Sequence, residues 1–433
     1  MSRSTSHNHK TKALTALVVA AALALTACGG GGAGDSAAGK GEDKPVDSLK
    51  FYNDKGGWKD AFVQVGAAGK KDIGVGMEPV GYSDSNAYTA FIRSSFRTKE
   101  KADLFTWHTG KELQDLVDQK LVAETTDQWT KAIADGNVPE QLKQYFTYAD
   151  KQYCVPLNAG YWVMYYNKAV FKKAGITQNP KTWQDLLAVA DKVKAAGVKP
   201  FYQTNILFSF VWFETLLAGK DPDLYDALAA GKAKYTDPGV VEVMNEWKKM
   251  IDAGYFSDPG SKTEPQAQLK SGDVAMINFG TWFSGNLNTL KMKAGTDYDF
   301  FVIPNVNPAL PKTSMIFETG PVCSAAQSDH ASTVKKWTDW WVTPQAQTAW
   351  ANSRGDLSFN PKAEVKDPGL AALNKDVGGE GYRLINRWFE ATPVPVANKA
   401  LEVFGAFVTK PGDPMPGLQK IQAEADAYWA KQK

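Results

Sequence analysis

A chain of 433 residues with 43% hydrophobic and 22% charged side chains has the composition of a globular protein of two or three ordinary domains. Lysine and arginine number 49 against 47 acids, so no basic face for nucleic acid is implied. No CxxC, HExxH, GxxxxGK[ST] or GxSxG motif occurs, which argues against a zinc site, a phosphate loop and a serine hydrolase.

The chain opens on "MSRSTSHNHKTK", which carries Arg3, Lys10 and Lys12 with no acid. The apolar run "ALTALVVAAALAL" follows, from Ala13 to Leu25, too short to span a bilayer as a helix. Together they read as an export signal over residues 1–27. The next residues, "LTAC", resemble the lipobox of bacterial lipoproteins, in which the peptide is cut before the cysteine and the thiol carries a diacylglycerol. Cys28 is then the lipidation site and the first mature residue; an ordinary secretory signal with an incidental cysteine is the alternative. Two or more acyl chains, palmitate among them, anchor a protein stably where one does so marginally. Residues 28–45 continue as "CGGGGAGDSAAGKGEDKP", the composition of a flexible tether. The 49 basic residues less Arg3, Lys10 and Lys12 leave 46 against 47 acids in the mature chain.

From "SLKFY" onward, short apolar runs alternate with helical periods, which predicts α/β layering. Strands are expected at "LKFY", "IGVGMEPV", "ADLFTW", "YCVPL", "WVMYYN", "KPFYQ", "VAMINF", "DFFVIP" and "GPVCSA". The helix "TWQDLLAVADKVKAAG" has Thr182 as N-cap, an apolar face of Trp183, Leu186, Leu187, Ala190 and Val193, and Gly197 as stop. "DPGVVEVMNEWKKMIDAGY" repeats the design, with Asp237 as cap, Pro238 at the first position and Gly254 at the end. Tryptophans in helical periods (Trp129, Trp183, Trp247, Trp337, Trp340, Trp341, Trp350 and Trp429) are assigned to core.

Five strand ends carry an aromatic beside an amide or a carboxylate. "NDKGGW" supplies Asn53, Asp54, Lys55 and Trp58; "GYSDSNAY" supplies Tyr82, Asp84 and Asn86; "FTWHTG" supplies Trp107 and His108. "PLNAGYW" adds Asn158, Tyr161 and Trp162, and "FGTWFSG" adds Trp282, with Phe283 expected to turn back into the core. A sugar asks for this pairing: its CH face stacks on an aromatic plane while its hydroxyls need acceptors and donors such as Asp, Asn and Glu. Ligands of open α/β sheets sit beyond the carboxyl ends of the strands. Each residue taken singly is equally well explained as core packing, a turn cap or a surface ion pair. A glycoside hydrolase needs only two carboxylates and stays open.

Four stretches then resemble one family: "CVPLNAGYWVMYYNKAVFKKAGI", "PKTWQDLLAVADKVKAAG", "LKSGDVAMINFGTWFSGNL" and "VTPQAQTAW". With the lipobox, they make the chain similar to the extracellular solute-binding lipoproteins of ABC sugar importers, the maltodextrin-binding-protein-like family, from Ser48 to Lys433. The resemblance implies a type II periplasmic-binding-protein-like α/β fold, with two lobes, crossing hinge strands and a ligand cleft. It implies a first lobe of residues 46–157 plus 322–360 and a second of 158–321 plus 361–433. A di- or oligosaccharide is then captured outside the membrane by a monomer and handed to a permease, with no catalytic residue, cofactor or metal. A polyamine or other non-sugar solute is the alternative cargo.

By the same resemblance Asp54, Trp58, Asp84, Trp107, Asn158, Tyr161 and Trp282 are ligand-binding positions. Glu318 in "IFETG" and Arg354 (or Asp356) in "NSRGDLSFNP" join them. "YCVPL" and "GPVCSAAQ" fall where the family's hinge strands cross, which puts Cys154 near Cys323; the two either pair or remain separate thiols. The chain departs from the family at Gly56, Gly57, Gly66 and Gly69, which interrupt a region where a long helix is usual.

Overall fold

The computed structural model describes residues 43–82, 84–98, 101–377 and 381–432. The export signal, Cys28 and most of the tether lie outside them. Strand β1 (Ser48–Asn53) buries Leu49, Phe51 and Asn53, the period of two that sets one face of a sheet against a core. Helix Lys59–Ile73 packs Phe62 edge-on to Phe51, 5.0 Å between ring centroids. The glycines expected to interrupt this helix do not. A Cβ at Gly66 would stand 2.3 Å from the Met77 carbonyl oxygen, so glycine there lets an unbroken helix approach β2 (Gly76–Gly81). Strands β2 and β3 (Leu104–Thr106) flank β1 in parallel. A hairpin, β4 (Thr147–Tyr148) with β5 (Lys151–Gln152), precedes β6 (Val155–Pro156).

Leu157–Ala159 then carry the chain into a second sheet. Its strands are β7 (Gly160–Asn167), β8 (Lys199–Phe201), β9 (Val274–Gly280), β10 (Tyr298–Phe301) and β11 (Thr313–Glu318). Both β7 and β9 are buried along their whole length, as strands covered by helices on both faces must be. Thr319 and Gly320 return the chain to β12 (Pro321–Cys323), which slots antiparallel between β3 and β6 and completes the order β2-β1-β3-β12-β6. Val322 pairs with Val155, and the adjacent Cys323 and Cys154 are joined by a disulfide.

Helices Ala331–Trp341 and Pro344–Arg354 cover the first sheet: Trp337 lies over Phe51, Trp350 stacks on Phe62, and Trp341 Nε1 donates to the Pro156 carbonyl at 2.7 Å. After helix Pro368–Val377, β13 (Tyr382–Asn386) runs parallel to β11, giving β13-β11-β7-β9-β8 with β10 on β7. The last two helices, Val394–Thr409 and Met415–Ala430, close the second lobe; Phe404 stacks on Phe213 at 4.6 Å and Phe407 meets Trp247 at 5.4 Å. No helix of the described residues is long and apolar enough to cross a membrane.

The two helices predicted from caps begin where expected. Thr182 and Asp185 form a reciprocal capping box on Trp183–Ala195, with Val189 rather than Leu187 on the buried face. Pro238–Asp252 starts on its proline, but Asp237 does not cap it; its carboxylate accepts from the Lys234 amide in the preceding turn. Trp429, assigned to core, is only half-buried at the end of the last helix.

Candidate functional site

A cleft of about 480 Å³ opens between the ends of the two sheets. Its first wall is built on β1 and β3. Asp54 follows β1 directly, and its carboxylate accepts from Thr106 Oγ1 at 2.7 Å and from Lys55 Nζ at 2.9 Å. Burial alone would push this carboxyl up, but the charges of Lys55 and His108 and the hydrogen bonds hold it well below the usual range. Trp58 ends the short turn Gly56–Trp58, half-buried, with its ring 5.7 Å from Trp350. The turn lies close against the end of β2, where a Cβ added to Gly81 would stand 2.8 Å from Gly56 Cα, so glycine at position 81 is what lets the two backbones approach. Trp107 leaves β3 deeply buried, and its indole N–H has no hydrogen-bond partner among the described residues.

The second wall comes from β9 and the loop before helix Val211–Lys220. Trp282 stacks on Phe208, 5.9 Å apart and 27° between planes, with Phe279 and Trp162 behind it. Gly280 makes this possible: the indole folds back over it so closely that a Cβ would lie 2.3 Å from Trp282 Nε1. Phe283 points away into the core and is fully buried.

The floor is the pair of crossing segments. Asn158 Oδ1 accepts from the Gly320 amide at 3.1 Å, and Thr319 Oγ1 donates to the Asn158 carbonyl at 2.8 Å, so one asparagine ties both crossings together. Beside it Arg387 is ion-paired with Glu318 and with Glu390, whose Oε2 accepts from Arg387 Nε at 2.6 Å. Trp162 Nε1 donates to Glu318 at 3.3 Å, and the guanidinium lies over the Trp162 ring at 5.6 Å. Burial raises the Glu318 carboxyl against the pull of Arg387. At Glu390 burial acts the same way, but Arg387 wins and the carboxyl is lowered. A guanidinium forked by Glu390 and paired at its remaining nitrogen by Glu318 is a fixed platform with its charge already compensated.

Of the positions expected from sequence, Asp54, Trp58, Trp107, Asn158, Trp282 and Glu318 line this cleft. Asp84, Tyr161 and Arg354 do not. Asp84 is exposed and caps helix Ser85–Ser95, accepting from the Ala87 amide at 2.7 Å. Tyr161 lies on β7, where alternate residues face opposite sides of the sheet; it packs on Phe317, and burial pushes its phenol up to about 12. Its neighbour Trp162 takes the cleft-side role, behind Trp282. Arg354 is buried behind both walls, its Nη2 donating to the Trp282 carbonyl at 3.0 Å.

Lys55, Tyr82 and His108 of the strand-end loops line it too, as do Leu207, Phe208, Phe210, Asn286, Arg387, Phe389 and Glu390, which the sequence reading does not anticipate. "NRWFEA", from Asn386 to Ala391, carries the same aromatic-beside-polar signal as the five strand ends that were noticed. "NILFSF" has no such signal, because its four apolar residues read as core.

The model of the bacterial extracellular solute-binding protein family matches residues 64–374. The chain belongs to that family. A relative of this solute-binding protein is an uncharacterized ABC transporter extracellular-binding protein of Pyrococcus horikoshii, 27% identical over 368 residues and 81% of each chain. The sn-glycerol-3-phosphate-binding periplasmic protein UgpB of Escherichia coli K12 is 29% identical over 244 residues, 54% of this chain and 55% of UgpB. Among solved structures, the solute receptor AcbH, described as having an exclusive preference for β-D-galactopyranose, superposes with a TM-score of 0.75 at 21% identity. That match covers 88% of this chain and 99% of AcbH, and the fold is the two-lobed one of periplasmic solute receptors.

Proposed function

We propose that this solute-binding protein captures a neutral mono- to oligosaccharide in the cleft and delivers it to an ABC permease, without turning it over. The observation that carries the reading is the convergence of Trp58, Trp107 and Trp282 from both sheets on one cleft that also holds Asp54, Asn158 and Glu318. Flat apolar faces flanked by hydrogen-bonding groups match a pyranose ring and its hydroxyls. The orphan Trp107 N–H is a donor for which a sugar oxygen is a suitable acceptor.

Charge separates this cargo from the phosphate ester bound by UgpB. Lys55 is engaged by Asp54, and Arg387 by Glu318 and Glu390. A phosphate would have to displace a carboxylate from one of them, at the cost of leaving that carboxylate buried and unpaired. In this reading residues 46–157 with 322–360 and 158–321 with 361–433 act as two lobes that close on the sugar. Cys28 carries the lipid that holds the monomer at the outer face of the cell membrane.

Isothermal calorimetry of residues 46–433 against a panel of neutral sugars, with sn-glycerol 3-phosphate and spermidine alongside, is the test. Saturable heat and a raised melting temperature with one or more sugars are expected, since a ligand bound only by the native state stabilises it. Heat from the phosphate ester alone would overturn the neutral-sugar reading. Release of reducing sugar that stops on substitution of one cleft carboxylate would favour a hydrolase.

A further inference from the structure

Arg354 ends helix Pro344–Arg354, which is fixed to the first lobe by Trp350 against Phe62 and Trp58. Its guanidinium carbon stands 4.7 Å from the centroid of the Trp58 ring, within cation–π range. The same group reaches across to the second lobe, where Nη2 donates to the Trp282 carbonyl at 3.0 Å and to Asn286 Oδ1 at 3.3 Å. One planar cation thus touches a tryptophan of each wall. The backbones are drawn together for it: a Cβ on Gly285 would lie 1.9 Å from Arg354 Nη1, and Gly355, with φ +66°, faces Asn288 at 2.7 Å from where its Cβ would be. The side chain is 8% exposed, so this is a charge taken out of water for an interlobe contact.

We propose that Arg354 is a positioning residue for solute capture, a clasp that sets the separation and relative orientation of the Trp58 and Trp282 platforms without touching the solute. The inference rests on the reading of those tryptophans as sugar platforms, but the clasp itself exists without a sugar. Lysine keeps the charge and loses the planar stacking on Trp58, so Arg354→Lys is the discriminating variant.

Two measurements on residues 46–433 decide it. In the sugar-free protein, amide exchange of R354K is compared with wild type. Faster exchange is expected in both residues 56–62 and residues 281–289; a change confined to the helix 344–354 overturns the clasp. With the tightest sugar from the panel (D-galactose, maltose, cellobiose and chitobiose being the first probes), R354K is expected to bind at least tenfold more weakly while its melting temperature stays within a few degrees of wild type. Affinity unchanged in R354K but lost in Trp282→Ala rejects the positioning role and leaves the sugar reading intact. If none of the sugars binds wild type, the sugar reading fails and the exchange pattern alone decides the clasp.

Discussion

Trp282 shows how a single residue acquires a role from its neighbours. A tryptophan at a strand end is ambiguous in sequence; what makes this one a platform is Gly280, over which the indole folds, and Phe208, which backs it in parallel. Replacing Trp282 by Ala is expected to weaken sugar binding by more than about 1 kcal/mol, with little change in unfolding midpoint, as read by calorimetry and urea titration. The Tyr161–Trp162 pair marks the limit of residue-level reading. Both are aromatic and follow Asn158 within four residues, and only the register of β7 decides which one stands behind the cleft.

Glu214, fully buried on helix Val211–Lys220, is a residue that function-directed reading passes over. Its Oε2 accepts from the Trp388 amide at 3.0 Å, which fixes the start of the segment carrying Phe389 and Glu390, while Oε1 has no partner among the described residues. Burial raises this carboxyl well above its ordinary value of 4.5, opposed by the Trp388 N–H and Arg387 and assisted by Glu390 and Glu318. The folded protein keeps a proton that the unfolded chain releases, so this group's contribution to stability is complete below about pH 4.5 and declines as pH rises toward the folded value. Glu390, lowered in the fold, works in the opposite direction and loses its contribution as pH falls. Glu214→Gln removes the first effect alone. Its stability relative to wild type is therefore expected to improve in urea titrations as pH rises above about 4.5, and to level off once the buried carboxyl ionises.

At the level of elements, local chemistry was legible wherever a cap or a period dominates. The Thr182 capping box is an example, and Thr182→Ala is expected to cost about 0.5–2 kcal/mol in urea unfolding while leaving the cleft's affinity untouched. Legibility failed where an element depends on its partner. Helix Lys59–Ile73 contains two glycines that argue against it singly, yet they are what allows it to lie on β2, because each removes a Cβ that would strike a backbone carbonyl. Strand β13 was missed altogether, since Tyr382, Arg383 and Leu384 are only half-buried and its pairing partner, β11, lies some seventy residues earlier.

At the level of the whole molecule, the disulfide between Cys154 and Cys323 closes a loop with a sequence separation of 169, which contains five strands of the second sheet. It joins the residue just before β6 to the last residue of β12, three residues before Leu157, where the chain first crosses, and three residues after Gly320, where it crosses back. Neither cysteine lines the cleft. The Cys154→Ala, Cys323→Ala double variant is therefore expected to lose about 2–5 kcal/mol in urea unfolding and to keep sugar affinity within about twofold. A large loss of affinity would show that the bond shapes the hinge itself.

The sequence by itself determined the α/β layering and the kind of side chain that strand ends present, because these depend on period and local spacing, and its motifs carried the resemblance to the family. Tertiary structure alone decided which of those side chains share a cleft. Asp84 and Tyr161 satisfy every local criterion and are turned elsewhere by a helix cap and a strand register. Arg387 and Glu390 arrive from a segment more than two hundred residues beyond Trp107. Arg354, expected at the ligand, instead lies behind the two walls, where only the approach of two lobes at Gly285 and Gly355 gives it something to hold.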